Sequence, residues 1–198
     1  MSSKNFYMNG LHREGLNLTN YYYFTNAFTD QEIEDIKTLS DKYPKQKAVT
    51  EAGEGVLSDY RKSEVCWIPE NEESTWLYLK IAEYAHEANK VMWDFDIWGF
   101  PDDLQYTLYH GDGGHYDWHM DLGPSIANRK LSMVLQLSDP KDYEGGDLQI
   151  NTGGVISTVP KEKGTISFFP SYLLHRVTPT LSGTRISLVT WLGGNTYR

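Results

Sequence analysis

The sequence predicts an α+β fold that is mainly β, a double-stranded β-helix (jelly roll) carrying an N-terminal helical layer. Three observations predict it. From Phe95 onward, about eight short runs with strand-like alternation follow one another, at 104–109, 115–121, 130–138, 147–151, 155–159, 165–169, 174–178 and 184–192. Glycine-rich turn sequences punctuate them: Gly-Asp-Gly-Gly at 111–114, Glu-Gly-Gly-Asp at 144–147 and Thr-Gly-Gly at 152–154. Before Phe95 the pattern is helical instead. Short strands at this spacing suit a sandwich or jelly roll, so one domain over 1–198 is expected, with helical support to about 95 and the β core from about 96.

In chain order, residues 1–20 read as a polar lead-in or a first edge strand. Thr29 to Glu32 is a capping box, in which a threonine hydroxyl and a glutamate three residues on satisfy each other's backbone N–H groups. Ile33, Ile36 and Leu39 follow at helical spacing, which predicts a helix from Asp30 to Lys42, ended before Pro44. Residues 48–58 mix glycine and glutamate and read as a loop. A strand is expected over 60–67, stopped at Pro69, and a second helix from Ser74 with Leu77, Ile81, Tyr84, Ala85 and Ala88 on one face. Both helical stripes read as packing faces, and His86 reads as a solvated histidine.

Composition narrows the function. The net charge is -9 and no stripe of Lys and Arg runs along the chain, which argues against nucleic-acid binding. One cysteine, Cys66, excludes an intrachain disulfide and a cysteine-based zinc site. Its neighbours Val65 and Trp67 point to a buried structural thiol. No signal-peptide core and no apolar run of membrane length is visible, so a soluble, cytoplasmic protein without membrane contact is expected. The 6 Trp and 14 Tyr supply strand formers and aromatic pocket walls.

The chemistry centres on Tyr-Asp-Trp-His-Met-Asp at 116–121. In a strand, alternate side chains share a face, so His119 and Asp121 would project together while Met120 points away. An imidazole and a carboxylate side by side are two parts of a 2-His-1-carboxylate triad for non-heme Fe(II). Alone, His-x-Asp is a weak signal. His175, in Pro-Ser-Tyr-Leu-Leu-His-Arg-Val-Thr-Pro at 170–179, is the third ligand expected. On the last strand Arg185, Ser187, Val189 and Trp191 share a face. An arginine aimed into a barrel needs an anion: either an internal acid or the distal carboxylate of a dicarboxylate cosubstrate, with Ser187 adding a hydroxyl. In 130–138, Leu131, Met133, Leu135 and Leu137 form an apolar face toward the helices. Gln136 then looks into the barrel, where Tyr109 could also reach.

These residues resemble the Fe(II)/2-oxoglutarate-dependent dioxygenases in their prolyl 4-hydroxylase-like branch. The stretch 131–148, Leu-Ser-Met-Val-Leu-Gln through Tyr-Glu-Gly-Gly-Asp-Leu, is similar to bacterial PKHD-type hydroxylases, as are 169–179 and Gly183-Thr-Arg185. The resemblance spans about 104–191. It implies iron ligands at His119, Asp121 and His175 and a 2-oxoglutarate anchor at Arg185. By resemblance to animal oxygen-sensing prolyl hydroxylases, Tyr109 contacts the cosubstrate, Trp191 lies near the substrate mouth and Arg61 is on a substrate-facing strand. The implied reaction hydroxylates a prolyl residue of a protein or peptide, converting 2-oxoglutarate and O2 to succinate and CO2, with ascorbate as a reductant.

Three other readings stand beside it. A hydroxylase of a free amino acid or other small metabolite shares the same chemistry. A nucleic-acid demethylase of this fold would carry a second Arg where Trp191 stands. A non-catalytic, metal-binding cupin-like module would need more histidines on the first strand, and His110 and His115 read as loop residues beside the glycine-rich turn.

Overall fold

The computed structural model describes residues 20–48 and 60–196. Nearly all of the lead-in expected over 1–20 and of the loop expected over 48–58 lies outside the described residues. In chain order the elements are β1 (Tyr22–Phe24), α1 (Asp30–Ser40), β2 (Gln46–Lys47), β3 (Arg61–Lys62), β4 (Glu64–Ile68), α2 (Thr75–Met92) and β5 (Ile97–Gly99). There follow β6 (Leu104–His110), β7 (Gly114–His119), β8 (Arg129–Gln136), β9 (Tyr143–Gly145), β10 (Leu148–Asn151), β11 (Ile156–Thr158), β12 (Ile166–Pro170) and β13 (Leu174–Gly194). The jelly roll and its helical layer are as expected.

Helix α1 starts where its capping box places it. Glu32 N–H donates to Thr29 Oγ1 at 3.3 Å, and Thr29 N–H donates to Glu32 Oε2 at 2.8 Å. The helix stops at Ser40 rather than Lys42, because Lys42 and Tyr43 N–H bond back only three residues, to Leu39 and Ser40 carbonyls. The expected strand over 60–67 is two strands, β3 and β4, paired to different partners. β3 lies on β7, whereas β4 lies between β2 and β6.

The larger sheet runs β1-β12-β8-β13-β6-β4-β2. Its outer face carries the main core. Leu131, Met133, Leu135 and Phe168 pack with Ile33 and Ile36 of α1 and Leu77 and Ile81 of α2. Strand alternation sends the intervening side chains inward: Val134 and Phe169 join Tyr109, Leu148, Ile150 and Val177 in a second cluster between the sheets. The smaller sheet contains β11, β10, β7 and β3.

The two strands expected at 174–178 and 184–192 are one. β13 runs unbroken through 21 residues, pairing with β10, β7 and β9 in its first half and with β6, β8 and β5 in its second. The crossover falls at Gly183, whose φ of +68° suits glycine; an added Cβ would stand 1.9 Å from Asp142 O. Backbone N–H of Gly111 donates to Gly183 O at 2.8 Å, fixing the bend from the other side. A single glycine thus bends one continuous strand where the sequence led to the expectation of two.

Gly183→Ala is therefore expected to destabilise the fold by at least about 1–3 kcal/mol, read as a lowered urea midpoint. An unchanged midpoint would show that the bend tolerates a side chain.

Candidate metal centre and anion pocket

His119 closes β7 and faces His175 near the start of β13, the two being register partners across the smaller sheet. Their rings lie 4.1 Å apart. Asp121 is not on a strand. β7 ends at His119, so alternation does not deliver the carboxylate, contrary to the sequence expectation. A tether does: Asp121 N–H donates to Ser171 O at 2.9 Å, and Ser132 Oγ donates to Asp121 Oδ2 at 2.6 Å. Asp121 Oδ1 then stands 3.6 Å from His119 Nε2, and Oδ2 stands 3.3 Å from His175 Nε2. One ligand atom from each residue can be chosen so that all three lie within 4.8 Å of one another.

Each imidazole is oriented by its far nitrogen. His119 Nδ1 donates to Asp117 O at 2.7 Å and His175 Nδ1 to Leu173 O at 2.9 Å, which fixes the tautomers and turns both Nε2 lone pairs inward. The Tyr116 ring stacks on His119 at 3.4 Å, and the Phe169 edge packs on His175 at 4.7 Å. Two imidazoles and one carboxylate, convergent and buried, form a donor set for a divalent iron-type cation.

The electrostatics follow from burial and mutual contact. Burial, reinforced by His175, pushes His119 down to about 3, so it is neutral across the working range. Burial alone would raise Asp121, but His175, His119 and the Ser132 hydroxyl outweigh it and hold the carboxylate well below its ordinary range. Burial would lower His175, but the adjoining Asp121 carboxylate outweighs it and raises the imidazole.

A cavity of about 560 Å³ opens beside this triad. Arg185 enters it from β13, 1% exposed, with no carboxylate partner among the described residues. Its Nη2 donates to Gln136 Oε1 at 3.1 Å and its Nη1 to Ser187 Oγ at 3.3 Å; Nε has no partner. Its register partner Tyr109 presents a ring 5.4 Å from the guanidinium carbon. Gly146 packs against it, since an added Cβ would fall 2.9 Å from Arg185 Cδ. A fully desolvated cation held only by neutral groups calls for an anion, and the planar fork suits a carboxylate.

Of the expected residues, the structure brings His119, Asp121, His175, Arg185, Tyr109, Ser187, Arg61 and Trp191 to one cavity wall. Gln136 faces inward as expected but is absent from the wall; it holds Arg185 in place. His110 and His115 lie in β6 and β7 rather than in a loop, outside the triad. Cys66 is fully buried, as expected, and burial raises its thiol. Sequence reasoning missed Ser132, Ser171 and Trp67. Ser132 carried a signal, a serine on the inward face of the strand whose other face is apolar. The other two carried none.

Residues 104–193 match the family model of the 2OG-Fe(II) oxygenase superfamily. A PKHD-type hydroxylase of Colwellia psychrerythraea is 36% identical over 86 residues, covering 43% of this chain and 39% of the relative. The chain thus spans about two fifths of the length of that curated relative. Among solved structures, a prolyl hydroxylase of Trichoplax adhaerens, in complex with a hypoxia inducible factor oxygen degradation domain peptide fragment, superposes with a TM-score of 0.74. It is 17% identical, over 90% of this chain and 85% of that one. A prolyl-4-hydroxylase of Pseudomonas putida gives 0.67 at 18% identity, over 89% and 93%. These two likenesses establish the jelly-roll fold.

Metal binding should depend on pH with a defined sign. A metal needs both Nε2 atoms unprotonated. His119 and Asp121 already meet that need, but His175 keeps its proton above the ordinary imidazole value of 6.5. Affinity for Mn(II) or Fe(II) should therefore rise as pH climbs from 6.5, then level off, with proton release on binding. Calorimetry in buffers of different ionisation heat measures this. An affinity independent of pH from 6.5 upward would contradict it.

Proposed function

We propose that the chain, whose residues 104–193 match the family model of the 2OG-Fe(II) oxygenase superfamily, is an Fe(II)- and 2-oxoglutarate-dependent hydroxylase acting on a prolyl residue in a protein or peptide. One observation carries the reading: a buried 2-His-1-carboxylate set and a buried guanidinium with no acid partner among the described residues share a single cavity. Among the described residues no helix is long and apolar enough to cross a membrane.

Iron and 2-oxoglutarate, when bound, supply the oxygen chemistry, by which substrate, 2-oxoglutarate and O2 yield hydroxylated substrate, succinate and CO2. The protein's residues do the rest. His119, Asp121 and His175 would hold the metal through three positions on one side, which leaves the others open to cosubstrate and O2. Arg185 would bind the distal carboxylate of 2-oxoglutarate, held in aim by Gln136 and Ser187, with Tyr109 beside it. Tyr116 and Phe169 exclude water from the imidazoles. Ser132 fixes the carboxylate and prevents it from turning away.

The prolyl assignment draws on the PKHD-type relative and the prolyl hydroxylase neighbours. A free amino acid or other small metabolite is the second reading, since a cavity of about 560 Å³ has room for one beside the cosubstrate.

Arg185→Met should weaken 2-oxoglutarate binding by about tenfold to a hundredfold, the loss of one charge-assisted pair. Titrating the metal-to-cosubstrate absorption band under anaerobic Fe(II) reads it directly. Unchanged affinity would remove Arg185 from the site.

Incubating the loaded enzyme with a proline-containing peptide library should give a one-oxygen mass gain on proline, with matching succinate. Succinate formed on free amino acids but not on any peptide would move the assignment to a metabolite.

A further inference from the structure

The cavity holds a second buried guanidinium that pairs with no acid among the described residues. Arg61 lies on β3, is 9% exposed, and lines the cavity wall. Its Nε donates to Ser63 Oγ at 3.0 Å and its Nη2 to Gln105 Oε1 at 2.9 Å. Its guanidinium carbon sits 4.5 Å from the ring centre of Tyr116, the ring that stacks on His119. Every one of these partners is neutral, and no carboxylate among the described residues pairs with it.

Arg129, on the same wall, makes the contrast. It is neutralised by Asp102 at 2.9 Å and lies 3.5 Å over Trp191. Arg129 therefore needs nothing further, whereas Arg61 is fixed in direction yet has no acid to compensate its charge among the described residues. A buried cation in that state favours an incoming anion.

Arg61 and Arg185 are held by separate sets of partners, Ser63 and Gln105 for one and Ser187 and Gln136 for the other. Arg61 is bonded to Gln105 at one end of β6, and Arg185 stands opposite Tyr109 toward the other. Each guanidinium is therefore aimed independently, and a cosubstrate carboxylate taken by Arg185 does not by itself satisfy Arg61.

We propose that Arg61 receives a carboxylate of the substrate, within an aromatic wall formed by Trp67, Tyr116 and Trp118. The proposal deepens the hydroxylase reading and rests on it for the word substrate. The carboxylate belongs either to a free α-carboxylate, of a C-terminal residue or a free amino acid, or to an acidic side chain next to the reacting residue.

Matched probes test it, titrated against the tryptophan fluorescence of the cavity wall with Mn(II) and 2-oxoglutarate saturating. The first pair is N-acetylproline against N-acetylprolinamide. The second is the blocked dipeptide proline-glutamate against proline-glutamine. In one pair the carboxylate form should bind about tenfold tighter than its neutral partner. That gap should close in Arg61→Met and survive in part in Arg61→Lys, and the pair that displays it identifies the source. Equal binding within both pairs, no binding of either carboxylate probe, or a gap that persists in Arg61→Met would overturn the proposal. The wild-type comparison stands even if a variant fails to fold. Failure of 2-oxoglutarate to bind the wild type would sink the hydroxylase reading separately, since the carboxylate gap is measured on a different ligand.

Discussion

The path of β13 is the constraint on which the rest depends. One strand pairs first within the smaller sheet and then within the larger, so a single stretch of backbone carries both His175 and Arg185. Its first half meets β7 at His119, and its second half meets β6 at Tyr109. The two imidazoles and the Arg185 guanidinium are therefore rigidly related through hydrogen-bonded strands, and only Asp121 reaches the triad from beyond a strand end. Gly183 and Gly146 are part of the same constraint, because one permits the bend and the other lets Arg185 lie flat against the chain.

Around that strand, alternation divides the labour of each neighbour. On β8, Leu131, Met133 and Leu135 close the core against the helices, while Ser132, Val134 and Gln136 serve the interior. The apolar half stabilises and the polar half aims, so ordinary packing of α1 and α2 holds the Asp121 and Arg185 contacts in register. The helices contribute no ligand to the triad, but they fix the sheet on which two of the aiming side chains stand.

The interior is a place where charge is buried by design of its surroundings. Asp121 is tolerated because two imidazoles and a hydroxyl meet it. Arg185 and Arg61 have only neutral partners among the described residues, which leaves both calling for an anion in the cavity. Arg129 shows the alternative solution within the same cavity, an internal acid and an aromatic face.

Much of this was legible in the sequence. The capping box fixed the start of α1, periodicity named the apolar face of β8, and the spacing from His119 to Arg185 pointed to an iron site with an anion anchor. Those are properties of local backbone geometry, which repeats every two residues in a strand and about every 3.6 in a helix. The sequence could not tell that Asp121 lies past the end of its strand, because alternation along 115–121 looks the same in either case. Nor could it tell that 174–194 is one strand, because a glycine that bends a strand resembles one that ends it. Whether Arg185 meets an internal acid was open for the same reason. Alternation already put Ser187 beside Arg185, but Gln136 at Arg185 and Gln105 at Arg61 are set by the register between strands far apart in the chain. Pairing distant residues is the work of the tertiary fold, and it alone decided which charges were left without a partner.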